Sequence, residues 1–412
     1  MNDKEQQRLL QEMAHHSNRS ITRRDLLRRV GVGAGALSVS AFLAACGISG
    51  ETERNPSDSN DDGLTTDKVA GELNFANWIG YIDKNKSGDS PTLLQFQDET
   101  GIKVNYETAV NDNASFFGTI REPLAAGQDT GWDIIVVTDW LVGKMARLGY
   151  LEELDHSKLP NFQKHAGEVY KDPTYDPNNA HSVPWQSGIT GIAYNDALTG
   201  REITSIEDLF DPAFKGKVGM FTEMRDTISL MLLGAGIEPA DATVEDVKTV
   251  QEKLLQQRED GIVRKYYGNE YVQPLAQGDL ALCIAWSGDV LGKTIADPNI
   301  KFIVPDEGGI LWVDNMCIPQ AAEHPIDALE LMNFVYQPEI AAQMTAWINY
   351  ICPVPEAQDI LKKSNDAYTR QVASSPLVFP TPEMEARLHS YKVLDEEEEA
   401  EWNELFDEVV QG

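Results

Sequence analysis

The sequence predicts an α/β fold, because short apolar segments of strand length alternate with amphipathic segments of helix length along most of the chain. Two local signals agree with that pattern: prolines stand where helices should begin, and capping residues stand where a strand gives way to a helix. In chain order, strands are expected at Leu73–Ala76, Lys103–Tyr106, Ile134–Val137, Val218–Met220, Leu280–Ala285, Phe302–Val304 and Leu311–Ile318. Helices are expected at Pro91–Thr100, Phe116–Ala126, Trp140–Leu148, Ser205–Leu209, Val244–Leu255, Pro325–Tyr336 and Pro338–Trp347. Pro325 and Pro338 suit the first turn, where a missing amide goes unnoticed. Thr138-Asp139 is placed to cap the helix after the third strand, and Gly149 to end it. A final amphipathic helix is expected where the acids Asp395–Glu399 run into Trp402, Leu405, Phe406 and Val409 at helical spacing.

The start of the chain carries an address. Thr22-Arg23-Arg24-Asp25-Leu26-Leu27-Arg28 precedes a mild apolar stretch, Val30–Ala45, which runs into Leu43-Ala44-Ala45-Cys46-Gly47. A paired arginine before a Gly/Ala/Ser-tempered apolar segment reads as a twin-arginine export signal. That segment is too short to cross ~30 Å of hydrocarbon comfortably as a mature helix. Leu-Ala-Ala-Cys-Gly resembles a bacterial lipobox, which makes Cys46 the expected lipid anchor and first mature residue; an uncleaved anchor helix is the alternative. Residues 1–45 are therefore expected to be the signal, and 46–70, rich in Ser, Asn, Asp, Thr and Gly, a flexible tether. On this reading the protein works on the extracytoplasmic face of the plasma membrane, tethered by lipid.

Length and charge narrow the class. A chain of 412 residues, less a signal, can build two domains with proper cores. Seven of the 34 Lys/Arg and four of the 66 Asp/Glu fall within residues 1–45, so the remainder holds 27 basic against 62 acidic residues, net −35. Such a surface repels nucleic acid and anionic lipid and attracts small cations. Cys283, Cys317 and Cys352 lie in apolar settings without Cys or His at metal-ligand spacing, so no zinc site is expected. Outside the cytoplasm they permit one disulfide, or three buried thiols.

Catalytic motifs are missing. No Gly-x-Ser-x-Gly elbow, phosphate-cradling glycine loop or His-Glu-x-x-His occurs, and His156, His165, His181, His324 and His389 sit in polar, loop-like sequence. Carboxylate pairs are too abundant to single out a glycosidase dyad. What recurs instead is an aromatic residue beside an acid in expected loops at strand ends: Trp78 and Tyr81, Thr138-Asp139-Trp140, Glu223-Met224-Arg225-Asp226, Trp286-Ser287-Gly288-Asp289, and Trp312-Val313-Asp314. In open α/β sheets the carboxyl ends of strands form the ligand crevice. Aromatic faces cover methylenes and attract cations, worth roughly 0.5–2 kcal/mol each, while carboxylates fix ammonium groups. The pattern suits a flexible chain with ammonium groups at its ends.

Several runs are recognisable: Phe75-Ala76-Asn77-Trp78, Thr100-Gly101-Ile102-Lys103-Val104, Trp132-Asp133-Ile134-Ile135-Val136-Val137, Lys144-Met145 with Gly149, Asp176-Pro177-Asn178-Asn179, Val183-Pro184-Trp185 and Gly308-Gly309-Ile310-Leu311-Trp312-Val313-Asp314. Through them the chain, over nearly all of 71–391, resembles the spermidine/putrescine-binding proteins of bacterial ABC transporters, within the periplasmic solute-binding protein family. The resemblance implies a two-lobe periplasmic-binding-protein fold with a ligand crevice between the lobes. Matched loops come from both halves yet must face one crevice, which puts 71–188 and 314–357 in lobe 1, and 189–313 and 358–412 in lobe 2. It also implies a binding protein and not an enzyme, without cofactor or metal, monomeric, capturing a polyamine for a permease and ATPase complex.

Carried over position by position, the resemblance makes Trp78, Tyr81 and Trp140 aromatic ligand contacts and Thr138 a hydroxyl contact. Glu223 and Asp226 would bind amino groups, Trp286 would stack, and Trp312 and Asp314 would be the aromatic wall and principal carboxylate. Tyr350 is the choice for the tyrosine before a Pro-x-Pro run, although Tyr350-Ile351-Cys352-Pro353 carries two extra residues. Ile79 replaces a hydroxyl residue, and a late glutamine of the family has no sure counterpart near Tyr391. If Asp314 and Tyr350 face one crevice, Cys317 and Cys352 become candidates for a disulfide, with Cys283 left free. Other readings are a binding protein for another small organic cation or amino-acid derivative, an extracellular hydrolase, and a sensor that keeps the fold without the ligand.

Overall fold

The structure, a computed structural model, describes residues 69–411; the expected signal, Cys46 and all but the end of the tether lie outside them. Its strands are β1 (Glu72–Trp78), β2 (Lys103–Val110), β3 (Ile134–Thr138), β4 (Ser182–Asn195), β5 (Val218–Phe221), β6 (Val263–Tyr267), β7 (Leu282–Trp286), β8 (Ile300–Ile303), β9 (Gly309–Cys317) and β10 (Leu388–His389). They join in the order β2-β1-β3-β9-β4-β7-β5-β6, with β10 beside β9 and β8 beside β4. Each wing is parallel: β1 with β2 and β3 on one side, β5 with β6 and β7 on the other. The centre is antiparallel, with β9 aligned to β4 from Ser182 opposite Cys317 to Thr190 opposite Ile310.

Each wing has its own apolar core. Strand alternation sends Phe75, Ile134, Val136 and Met316 into one cluster with Trp185 and the helices Pro325–Phe334 and Pro338–Ile348. Ala76, Ile135, Val137 and Cys317 go to the opposite face, under the helices Asn113–Ala125 and Asp139–Arg147. The second wing buries Val218, Met220, Ile284 and the helix Met224–Gly234, and closes with Trp402, Phe406 and Val409 of the last helix, Glu396–Gln411. Leu361 and Ala373 pack into the first core, whereas Val372, Leu377 and Val378 form a small cluster with Leu291. Trp286 and Tyr391 touch both large cores, so they lie where the wings meet.

All seven expected strands are present within a few residues, but β4, β6 and β10 are additional. β4 is buried along its whole length, so it shows no polar alternation, and Pro184, Gly188 and Gly191 disguise it as loop. Ser205–Leu209 forms a 3₁₀ turn over Ile206–Phe210 instead of an α-helix. Residues 223–226 and 287–289 are helix starts, not loops. The helix Met224–Gly234 is buried on nearly every side, its polar Arg225, Asp226, Thr227 and Ser229 included, and so lacks a 3.6-residue stripe.

The Cys317–Cys352 bridge does not form. Cys283, Cys317 and Cys352 are all free and buried. Cys317 faces the cluster under Asn113–Ala125, while Cys352 belongs to the cluster on the other face of the sheet. The strand's two-residue period, which turns Asp314 and Met316 one way, turns Cys317 the other.

Candidate binding site

Between the wings lies a carboxylate held by hydroxyls. Asp314 lies mid-strand in β9, where Thr138 is its cross-strand neighbour on β3. Thr138 Oγ1 donates to Asp314 Oδ1 at 2.7 Å and Tyr81 Oη to Oδ2 at 2.8 Å. Thr138 was expected to cap the helix that follows; it stands at the N-cap without a side-chain capping bond, because its hydroxyl is given to Asp314. Asn113 fixes that hydroxyl, its Nδ2 donating to Thr138 Oγ1 at 2.8 Å. Burial pushes the Asp314 carboxyl up to about 6 against the pull of these two donors.

A second carboxylate faces it from the other wing. Asp226, in the first turn of Met224–Gly234, accepts hydrogen bonds from Thr190 Oγ1 and, at 2.8 Å, from Tyr391 Oη. Thr190 in turn accepts from the Trp312 indole at 3.1 Å. Burial raises the Asp226 carboxyl, with Thr190, Tyr391 and Trp286 opposing the shift as donors. Glu223 stands at the N-cap of the same helix with no side-chain capping bond, half-buried. Its carboxyl is pushed up to about 8, first by burial and then by Asp226 and Asp112.

Aromatic rings close the space. Tyr350 packs edge-on to Tyr81 at 5.5 Å and tilted against Trp312 at 5.4 Å. Two glycines admit these rings: a Cβ on Gly188 would lie 2.3 Å from the Trp312 ring, and one on Gly288 would lie 2.4 Å from the Tyr350 ring. Trp286 ends β7 against Phe221, ring centroids 4.3 Å apart. Trp78 is half-buried at the end of β1, and its indole N–H donates to the Val136 carbonyl at 3.0 Å. Trp140 opens the helix Asp139–Arg147, its ring covered by the Arg225 guanidinium at 3.8 Å. Ile79 is 63% exposed beside them.

Tyr81, Thr138, Trp312, Asp314 and Tyr350 thus form one connected group, joined to Asp226 through Thr190. Trp286 adjoins Asp226; Trp78 and Trp140 lie outside that group's hydrogen bonds, and Glu223 adjoins it through charge. Four residues of the network, Asp289, Tyr391, Thr190 and Asn113, are not among the contacts that the resemblance implies. Asp289 accepts from Tyr350 Oη at 2.7 Å and Tyr271 Oη at 3.1 Å, and burial raises its carboxyl. It belongs to the Trp286-Ser287-Gly288-Asp289 run, so the aromatic-beside-acid signal already contained it. Tyr391 occupies the region where a glutamine was sought, and its phenol serves Asp226.

A two-winged sheet with carboxylates and aromatic rings converging between the wings defines a class, the two-lobed solute-binding proteins. The chain belongs to the bacterial extracellular solute-binding protein family, which it matches over residues 93–378. It is 31% identical over 310 residues to the spermidine/putrescine-binding periplasmic protein of Salmonella typhimurium, covering 75% of this chain and 83% of that protein. Identity to the Escherichia coli protein of the same description is 29% over 313 residues, covering 76% and 84%. Among solved structures, a putative spermidine/putrescine ABC transporter protein from Listeria monocytogenes superposes with a TM-score of 0.72 at 28% identity, covering 82% of this chain and 99% of that one.

Proposed function

We propose that this chain is a lipid-anchored, extracytoplasmic binding protein that captures a polyamine, spermidine or putrescine, and delivers it to an ABC transporter permease. The observation that carries the reading is the group of two buried carboxylates, Asp314 and Asp226, and the half-buried Asp289, whose side-chain partners are neutral hydroxyl and indole groups. Buried carboxylates without a cation are held at raised pKa; an ammonium group supplies the missing charge. Asp314 is the principal anchor, Asp226 with Glu223 holds the amino group at the other end, and Asp289 adds a third acceptor. Trp312, Tyr350, Tyr81 and Trp286 cover the methylenes between them, with Trp78 and Trp140 at the margins.

Lobe 1 comprises 71–188 and 314–357 together with the following segment through Ala373, whose Leu361 and Ala373 pack into the first core, and lobe 2 comprises 189–313 and the remainder, so closure brings Asp314 of one to Asp226 of the other. Binding, not bond-breaking, is the activity, in keeping with the solute-binding family, and each carboxylate is poised for charge recognition. The monomer closes on its ligand and docks on a permease with its ATPase. Residues 1–45 direct twin-arginine export and Cys46 carries the lipid. Calorimetric titration of the chain from residue 47 with putrescine, spermidine and choline tests the central claim. Saturable heat with the two polyamines and none with choline is expected; binding of choline alone, or of none, overturns it. Replacing Arg23 and Arg24 by lysine should strand precursor in the cytoplasm, and Cys46→Ala should release a binding-competent protein from the membrane.

A further inference from the structure

The space around Asp314 has a neighbour on the far side of β9. Leu311 and Val313, which alternate with Trp312 and Asp314, line a chamber of about 250 Å³ together with Asp139, Trp140, Tyr175 and Tyr391. Between the two the sheet is broken. One edge of β9 is fully paired with β4, but the other pairs with β3 only from Asp314 onward and with β10 only at Gly309 and Ile310. Residues 311–313 therefore have no strand on that edge, and Asp139 fills the gap by accepting the Val313 amide at 3.0 Å. Tyr391 belongs to both sides, bordering the chamber while its phenol binds Asp226.

Asp139 is the acidic group of this chamber that the crevice does not use. It is 8% exposed, and its bonds come from two backbone amides, Val313 and Trp140. Burial pushes it up to about 7, with Asp314 raising and Arg225 lowering the value. Arg225 rests on the Trp140 ring at 3.8 Å, so one face of this ring already holds a cation. Lys392 also lines the chamber, but its amine is drawn away to the Ala242 carbonyl at 2.7 Å and Glu398 at 2.6 Å. Asp172 lies on the rim, its Oδ1 accepting the Asn178 amide.

We propose that the chamber is a second ammonium subsite, which takes the end of a polyamine longer than the Asp314 crevice holds, with Asp139 as its carboxylate. The inference rests on the polyamine reading above and adds a length preference to it. A diamine is satisfied within the crevice; a triamine or tetramine threads past Trp140 and Tyr391 and places its terminal ammonium at Asp139.

Calorimetric titration of the wild-type chain, Asp139→Asn and Thr174→Trp with putrescine, spermidine and spermine separates the claims. Thr174 is an exposed residue of the chamber wall, so tryptophan there fills the space without touching a core. Asp139→Asn should lower affinity for spermidine and spermine by about 30-fold or more, as expected for loss of one partner of a buried charge pair. Putrescine affinity should be unchanged, and Thr174→Trp should reproduce the pattern even if the Asp139 variant folds poorly. Equal losses for all three ligands, or no loss for the longer two, overturns the chamber while leaving polyamine binding intact. A wild-type chain that binds none of the three removes both.

Discussion

Asp314 and Glu223 come from opposite wings, and the proposed cation site would meet two carboxylates held in different ways. Asp314 sits inside a strand, with Tyr81 and Thr138 fixing both oxygens and Asn113 fixing Thr138 in turn. Glu223 sits at a helix N-cap without a capping bond, and its carboxyl is raised to about 8 against about 6 for Asp314. The hydroxyls stabilise the ionised form of Asp314 before any ligand arrives, whereas Glu223 is mostly protonated at neutral pH and an approaching cation shifts it towards the charged form. One carboxylate supplies geometry, the other a proton-linked increment.

The largest effect expected is at Asp314. Asp314→Asn should weaken polyamine binding by about 30-fold or more, from ~2–5 kcal/mol for a buried charge partner. Near-normal affinity in calorimetry would show that the pre-ordered carboxylate is not the anchor. Tyr81→Phe should follow at about ten- to a hundredfold, since a hydrogen bond to a charged group contributes roughly 1.5–3 kcal/mol and Thr138 remains. A Tyr81→Phe effect equal to that of Asp314→Asn would mean the phenol itself meets the ligand. Glu223→Gln should cost only about two- to tenfold at pH 7, in line with ~0.5–1.5 kcal/mol for a partly solvated contact.

The pH profile sharpens the same contrast. Ammonium binding favours ionised carboxylates, so affinity should rise from pH 5 to above pH 8, through the values of about 6 and about 8. Glu223→Gln should remove the upper limb and spare the lower one. Without ligand the sign reverses for stability: both groups hold more protons folded than unfolded, so melting temperature should fall as pH rises through that window. A ligand-free protein that becomes steadily more stable from pH 5 to 8 would contradict the raised values.

Much of this was legible in the chain, because strand ends, proline-led helices and the aromatic-beside-acid runs are local signals. Pro91, Pro325 and Pro338 stand in the first turns of their helices, and Gly149 follows Asp139–Arg147 at φ 70°. What stayed hidden depends on burial from both sides. β4 shows no alternation because both its faces are covered, and Met224–Gly234 shows no stripe because almost all of it is interior. Asp289 and Tyr391 matter through partners 61 and 165 residues away, Tyr350 and Asp226, a pairing that no local pattern displays. The disulfide expectation failed for a related reason: closeness to one crevice does not decide which face of a strand a side chain takes.

The three unbridged cysteines carry a consequence for how the molecule is made. No sulfur–sulfur bond ties Cys283, Cys317 or Cys352, so the described body needs no oxidant to reach its final covalent form. Its tertiary structure can be completed in the reducing interior where ribosomes work, and dithiothreitol should leave its melting curve where it was.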